Sequence, residues 1–240
     1  MTGAPSRPLL SALVGDEEVE ALFSSEAELA ALLEVEAALA EAEAKAGLIG
    51  ADAAVRIGDA CRDFSPDWNA LAKGLARDGV VVPELVRQLR DAVGEPHRGA
   101  VHMGATSQDI VDTGLMLRLR RVVAILSGRL EALVIALEEA SVRDGAVPLT
   151  AHTRMQAALA FTAADKIETW RAPLARQAGA LRALAPRILA VQLGGPVGTR
   201  GSFDGKGDAI AGTMADMLGL ADAPCWHSGR DRIAELAAWL

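Results

Sequence analysis

The chain contains no tyrosine, and phenylalanine and tryptophan together make up only 3% of its 240 residues. An interior without aromatic bulk must be filled by small and medium aliphatic side chains, a composition that suits close-packed helices. Only two cysteines are present, Cys61 and Cys225, far apart in sequence. That number excludes a disulfide framework and their spacing is not that of a zinc site, so a reducing compartment, the cytoplasm, is expected. No apolar run approaches the roughly 18 residues that cross a bilayer. The N-terminus passes from Met1-Thr2-Gly3 through a short apolar patch, Leu9 to Val14, into Asp16-Glu17-Glu18, without the basic and apolar regions of a secretory leader. A basic surplus is also missing. The formal net charge of −8 argues against nucleic acid or an anionic membrane as partner, while a small anion held by local charge remains compatible. There is no internal repeat, linker or low-complexity tract.

What is present is 51% hydrophobic and 23% charged residues, rich in alanine and leucine, enough to bury a large core. The pattern predicts an all-α fold. Ser25-Glu26-Ala27-Glu28 reads as a capping box, followed by Leu29, Leu32, Leu33 and Leu39 at helical spacing and closed by Gly47. Shorter helices are expected around Ala51 to Cys61, Trp68 to Arg77 and Pro83 to Val93, which with the first define a small N-terminal helical domain over residues 1–100. From Ser107 to about Arg143 an apolar stripe runs without proline, a helix of roughly 50 Å at 1.5 Å per residue. A second long pattern covers about Arg154 to Leu184, with Pro173 as a kink or break, and a further helix spans about Asp208 to Leu218. Residues 101–240 are therefore expected to form the first part of a long-helix bundle. The alanines at 157, 158, 160, 163 and 164 allow close approach and point to a homo-oligomer.

Three polar islands interrupt this apolar background. In the first, Val101 to Thr113, Thr106 is placed to cap the long helix with Asp109 three residues on, and Ser107 adds a hydroxyl. Free N–H groups, the helix dipole and two hydroxyls favour an anion there, although from this segment alone the same residues also serve as a plain cap. The second island is Thr153-Arg154-Met155-Gln156. The third, Gln192 to Gly201, carries four glycines but neither the ending of a P-loop nor the preceding strand of a dinucleotide fingerprint, and a helix-to-helix turn is its plain alternative. Of the four histidines, His97 reads as a surface loop residue and His227 as structural. His102 suits either substrate positioning or structural hydrogen bonding, and His152 is a candidate for proton transfer. No pair of histidines at helical spacing suggests a metal.

The runs VHMGATSQDIVDT at 101–113, TRMQAAL at 153–159, QLGGPVGT at 192–199, Trp226-His227 with Arg230-Asp231-Arg232-Ile233, and DGVVVPEL at 78–85 resemble the fumarase/aspartase superfamily, most closely its bacterial 3-carboxy-cis,cis-muconate cycloisomerase branch. The resemblance covers essentially the whole chain. It implies an all-α subunit whose long helices form the core of a cytoplasmic homotetramer, with sites assembled from several subunits and no cofactor. It further implies that a small tricarboxylate is held by His102, Thr106, Ser107, Gln108, Thr153, Gln156 and Arg230, with Arg154 and His152 as the catalytic candidates. The superfamily's serine-bearing mobile loop has no counterpart before Leu240, so the chain resembles a C-terminally truncated member, expected to be inactive alone or to serve as a helical-bundle partner. Arg154 stands where many superfamily lyases carry a histidine. An arginine is no base, but its fork orients a carboxylate, and a lactonising carboxylate nucleophile is already ionised and needs no base. A fumarate-releasing C–N lyase, such as adenylosuccinate lyase, is the alternative, against which Arg154 argues.

Overall fold

The computed structural model describes residues 10–240, so Leu9 and the start of the N-terminal apolar patch lie outside the described residues. The chain forms helices α1 (Ser11–Val14), α2 (Glu17–Ala21), α3 (Ser25–Lys45), α4 (Ala51–Arg62), α5 (Trp68–Asp78), α6 (Val82–Val93) and α7 (Ser107–Asp144). After these come a two-stranded hairpin, β1 (Pro148–Thr153) and β2 (Gln156–Thr162), and then α8 (Ala163–Ile188), α9 (Gly207–Leu218) and α10 (Asp231–Trp239). The fold is mostly helical, as the composition requires.

The helix ends follow local chemistry. The cap of α3 is Ser24, one residue ahead of the expected Ser25, with its hydroxyl accepting the Ala27 N–H at 3.1 Å. Asp67 caps α5 in the same way, and Gly79, at φ 73°, closes that helix in the left-handed region where a side chain is disfavoured. The core is built around α3, which buries Leu29, Leu32, Val35, Leu39 and several alanines against α4, α7 and α9. Each fully buried leucine of this kind contributes roughly 2 kcal/mol. Small residues set how closely the helices cross. A Cβ on Gly114 of α7 would lie 2.9 Å from Leu32 Cδ2, so larger residues there would force the two helices apart. One apolar cluster joins residues from Leu29 to Leu236, shared by segments on both sides of residue 100.

The expected helix from Arg154 is corrected by the structure. Residues 148–162 form an antiparallel hairpin in which Thr153 pairs with Gln156, and α8 begins only at Ala163. The hairpin turn consists of Arg154 and Met155, both left-handed, with φ of 45° and 64°. Two positive φ values in a two-residue loop match the twist of paired strands, a geometry usually supplied by Asn-Gly. The start of α8 is set by a capping box in which the Thr162 hydroxyl accepts the Asp165 N–H and the Asp165 carboxylate accepts the Thr162 N–H at 2.8 Å. No break occurs at Pro173: α8 continues through it and through Pro186.

At 38 residues, α7 is about 57 Å long. Its buried residues lie between Asp109 and Val123, while its distal half pairs with α8 through Arg182–Glu131 and Arg171–Glu138 ion pairs. Leu133, Ile135, Val142, Val147, Leu159 and Trp170 are exposed at that end. Among the described residues no helix is long and apolar enough to cross a membrane.

Candidate active site

The first and third polar islands meet at the N-terminus of α7, and Asp109 is the residue that joins them. Its carboxylate is 1% exposed and accepts four N–H groups. Gln192 Nε2 and Gly194 N donate to Oδ1 at 3.0 and 2.8 Å, and Gly195 N and Thr106 N to Oδ2 at 2.9 and 3.0 Å. A buried carboxylate is tolerated when its lone pairs are filled in this way and the positive end of a helix lies beside it. The glycines of the third island are required by crowding: at Gly195, with φ 68°, a Cβ would fall 2.4 Å from Ser202 Oγ and 2.9 Å from the Gly104 carbonyl.

One turn further along α7, the Thr113 hydroxyl bridges both backbone groups of Gln192, each at 2.9 Å. The Gln192 amide is then fixed in orientation because its Oε1 accepts the Trp226 N–H at 2.7 Å. Asp112, also buried, takes both forks of Arg230 at 2.7 and 3.0 Å, and the Arg230 guanidinium lies 5.3 Å from the centre of the Trp226 ring. The four polar side chains Asp109, Asp112, Thr113 and Gln192 thus clamp the glycine-rich loop and the Trp226 segment onto α7. Arg230 has its fork on Asp112, which departs from the expectation of a carboxylate partner in the substrate.

Around this clamp, Thr106 and Ser107 remain half-buried at the helix start, and Gln108 is exposed. The hydroxyl of Ser107 has no protein partner among the described residues, so it is free to donate to a ligand together with the first-turn N–H groups. His102 approaches from the preceding loop, with φ of 60° and its Nδ1 2.7 Å from Glu36 Oε1. His227 lies behind the glycine loop, 3.3 Å from Cys225 Sγ, and His97 is 3.8 Å from Asp52.

The second island is elsewhere. Thr153, Arg154 and Gln156 lie at the exposed tip of the hairpin, where Met155 is 98% exposed and His152 Nδ1 rests 3.1 Å from the Thr150 carbonyl. The ten residues from Asp144 to Arg154 reach at most about 36 Å, whereas α7 extends about 57 Å, so at least roughly 20 Å separates Arg154 from Ser107 within one chain. One chain therefore holds two separate polar regions, the start of α7 and an arginine-tipped hairpin.

The profile of a family described as lyase matches residues 14–240. The chain belongs to this lyase family. A Pseudomonas aeruginosa relative named 3-carboxy-cis,cis-muconate cycloisomerase is 37% identical over 246 residues, a match covering 100% of this chain and 53% of the relative. Trans-aconitate decarboxylase 1 of Mycosarcoma maydis is 31% identical, over 100% of this chain and 50% of its own length. The crystal structure of β-carboxy-cis,cis-muconate cycloisomerase from Acinetobacter calcoaceticus superposes with a TM-score of 0.91 at 32% identity, covering 97% of this chain and 55% of that one. The chain spans about half the length of the curated relatives it matches.

The helix start at Thr106 was legible in the sequence, whereas the residues that fasten it to the glycine-rich loop were not. Asp112, Thr113 and Gln192 sit inside motifs read for other members, and the buried Glu36 lies 66 residues from the histidine it contacts. The spacing of Asp109 and Asp112 by three residues, which places both on one helix face, was the available signal.

Proposed function

We propose that the protein is a cycloisomerase that closes 3-carboxy-cis,cis-muconate to 4-carboxymuconolactone, in the protocatechuate branch of aromatic catabolism in the cytoplasm, and that it works as a homotetramer. The observation that carries this reading is Arg154 at the exposed hairpin tip, the position at which, by the resemblance, many superfamily lyases carry a histidine for water or amine chemistry. In lactonisation the nucleophile is the substrate's own carboxylate, ionised at neutral pH, so the site must orient it rather than deprotonate it. The guanidinium fork of Arg154, flanked by Thr153 and Gln156, suits that task. Thr106, Ser107 and the first turn of α7 hold a second carboxylate, while the Asp109 clamp keeps the glycine loop in place around it.

Because the two regions are at least roughly 20 Å apart within one chain, the corner of one copy takes the hairpin of another. The exposed apolar residues on the distal halves of α7 and α8 support this, since contact between copies would cover them. The names of relatives at 34–37% identity favour the same substrate. The test supplies 3-carboxy-cis,cis-muconate to the purified chain, alone and joined to the C-terminal half of the Pseudomonas aeruginosa relative. Loss of diene absorbance with appearance of the lactone in either form is expected. No lactone in both forms, or release of fumarate from a succinylated amine instead, overturns the assignment.

A further inference from the structure

Only one of the four histidines is locked onto a buried carboxylate. Glu36, on α3, is 1% exposed, with Oε1 2.7 Å from His102 Nδ1. Its other oxygen has no hydrogen-bond partner among the described residues. The His102 side chain is 13% exposed, its Nε2 makes no hydrogen bond to a described residue, and that atom is not among those sealed inside the protein. The ring is held in this position by a left-handed backbone, at φ 60°, four residues before Thr106. Such a conformation in a residue other than glycine costs of order 1 kcal/mol and persists where surrounding contacts enforce it.

With the Glu36 oxygen as acceptor 2.7 Å away, the ring carries its hydrogen on Nδ1 and its lone pair on Nε2. A second buried acid, Glu43, lies on the same helix, with neither oxygen hydrogen-bonded to a described residue. Burial first, and the nearby Glu36 second, push its pKa up to about 8, so at neutral pH it keeps its proton and adds no second charge beside Glu36.

We propose that Glu36 is a positioning residue that fixes the Nδ1–H tautomer of His102, and that His102 Nε2 carries the proton of the reaction at the α7 corner. The inference rests on the cycloisomerase reading. In the lactonising direction the substrate carboxylate forms the C–O bond and the alkene π pair moves onto the adjoining carbon as an enolate. The protonated ring then delivers its Nε2 proton to that carbon and returns to the neutral Nδ1–H form, to be recharged from water. In the reverse direction Nε2 takes the proton. The Glu36 carboxylate keeps its place on Nδ1 throughout and so holds Nε2 toward the reacting carbon.

Ring 15N spectra of the histidine-labelled chain test the tautomer directly, with His102→Gln assigning the resonance. The expected result is a protonated Nδ1 and an unprotonated Nε2 in the neutral ring, retained in Glu36→Gln, whose amide oxygen still accepts, and lost in Glu36→Leu. A parent ring carrying its proton on Nε2, or a Glu36→Leu ring unchanged in tautomer, overturns the proposal; if the leucine variant does not fold, the parent spectrum decides alone. In a form that turns over substrate, His102→Gln should lower kcat about 100-fold and Glu36→Gln about tenfold, with KM changed less than twofold. Unchanged kcat in His102→Gln would remove the proton-carrying role. Failure of the lactone assay with the tautomer intact would remove the reaction assignment and leave the Glu36–His102 pairing standing.

Discussion

Replacing Asp109 by asparagine isolates the contribution of the clamp without changing its volume. The carboxylate accepts two N–H groups on each oxygen, all between 2.8 and 3.0 Å, and it is itself buried together with Gln192, Gly194 and Gly195. An asparagine has one oxygen and one NH2, so whichever way it turns, two donors of the protein face two donors of the amide. The Gln192 amide cannot flip to help, because its oxygen already accepts the Trp226 N–H. With charge-assisted bonds worth about 1.5–3 kcal/mol each, two lost bonds amount to roughly 3–6 kcal/mol. For a chain of this length that is a fall in Tm of order 10 °C or more. Urea and thermal unfolding of Asp109→Asn beside the exposed control Gln108→Ala measure it, the control being expected within about 0.5 kcal/mol of the parent. A loss below about 1 kcal/mol for Asp109→Asn would refute the view that this carboxylate holds the glycine loop onto α7.

Two further perturbations follow from other parts of the molecule. Glu43 is pushed up to about 8 by burial and by Glu36, whereas in the unfolded chain it ionises near 4.5. The folded form therefore keeps a proton that the unfolded form releases, and stability from this group is lost progressively between about pH 5 and 8. Glu43→Gln should remove that slope and gain on the parent by roughly 3 kcal/mol between pH 5 and 7, as read by urea titrations; parallel pH profiles for the two proteins would contradict the assignment. At the hairpin tip, Arg154→Lys keeps the charge and loses the fork, and Arg154→Met loses both, so kcat/KM in an active form should fall in that order. Arg154→His should bring no rescue and no new limb near pH 6.5, because the nucleophile needs no base.

How much of this was legible in the sequence depended on whether the determining contacts were local. The start of α7 was readable because Thr106 and Asp109 are three residues apart and an apolar period begins at once. The hairpin was not, because the alanine-rich stretch Gln156 to Thr162 fits a helical period as well as a strand. Its turn is also made by Arg154 and Met155 rather than by residues that favour positive φ. The capping pair Thr162 and Asp165 was the local signal that would have moved the start of α8. In the candidate site, the start of α7 was visible as a motif, but its supports come from 66 to 118 residues away, as with Glu36 on His102 and Arg230 on Asp112. No single-sequence pattern announces such pairs, and Arg230 read as a substrate ligand for that reason.

In the proposed assembly the α7 corner of one copy works with the Arg154 hairpin of another. Chains carrying Ser107→Ala have an impaired corner and an intact hairpin, and chains carrying Arg154→Met the reverse. Each variant is prepared in a form whose parent turns over 3-carboxy-cis,cis-muconate, and the two are mixed, dissociated and reassembled. Lactone formation by the reassembled mixture should exceed that of either variant alone severalfold, since some sites then combine an intact corner with an intact hairpin. A mixture no more active than the average of its two components would contradict the claim.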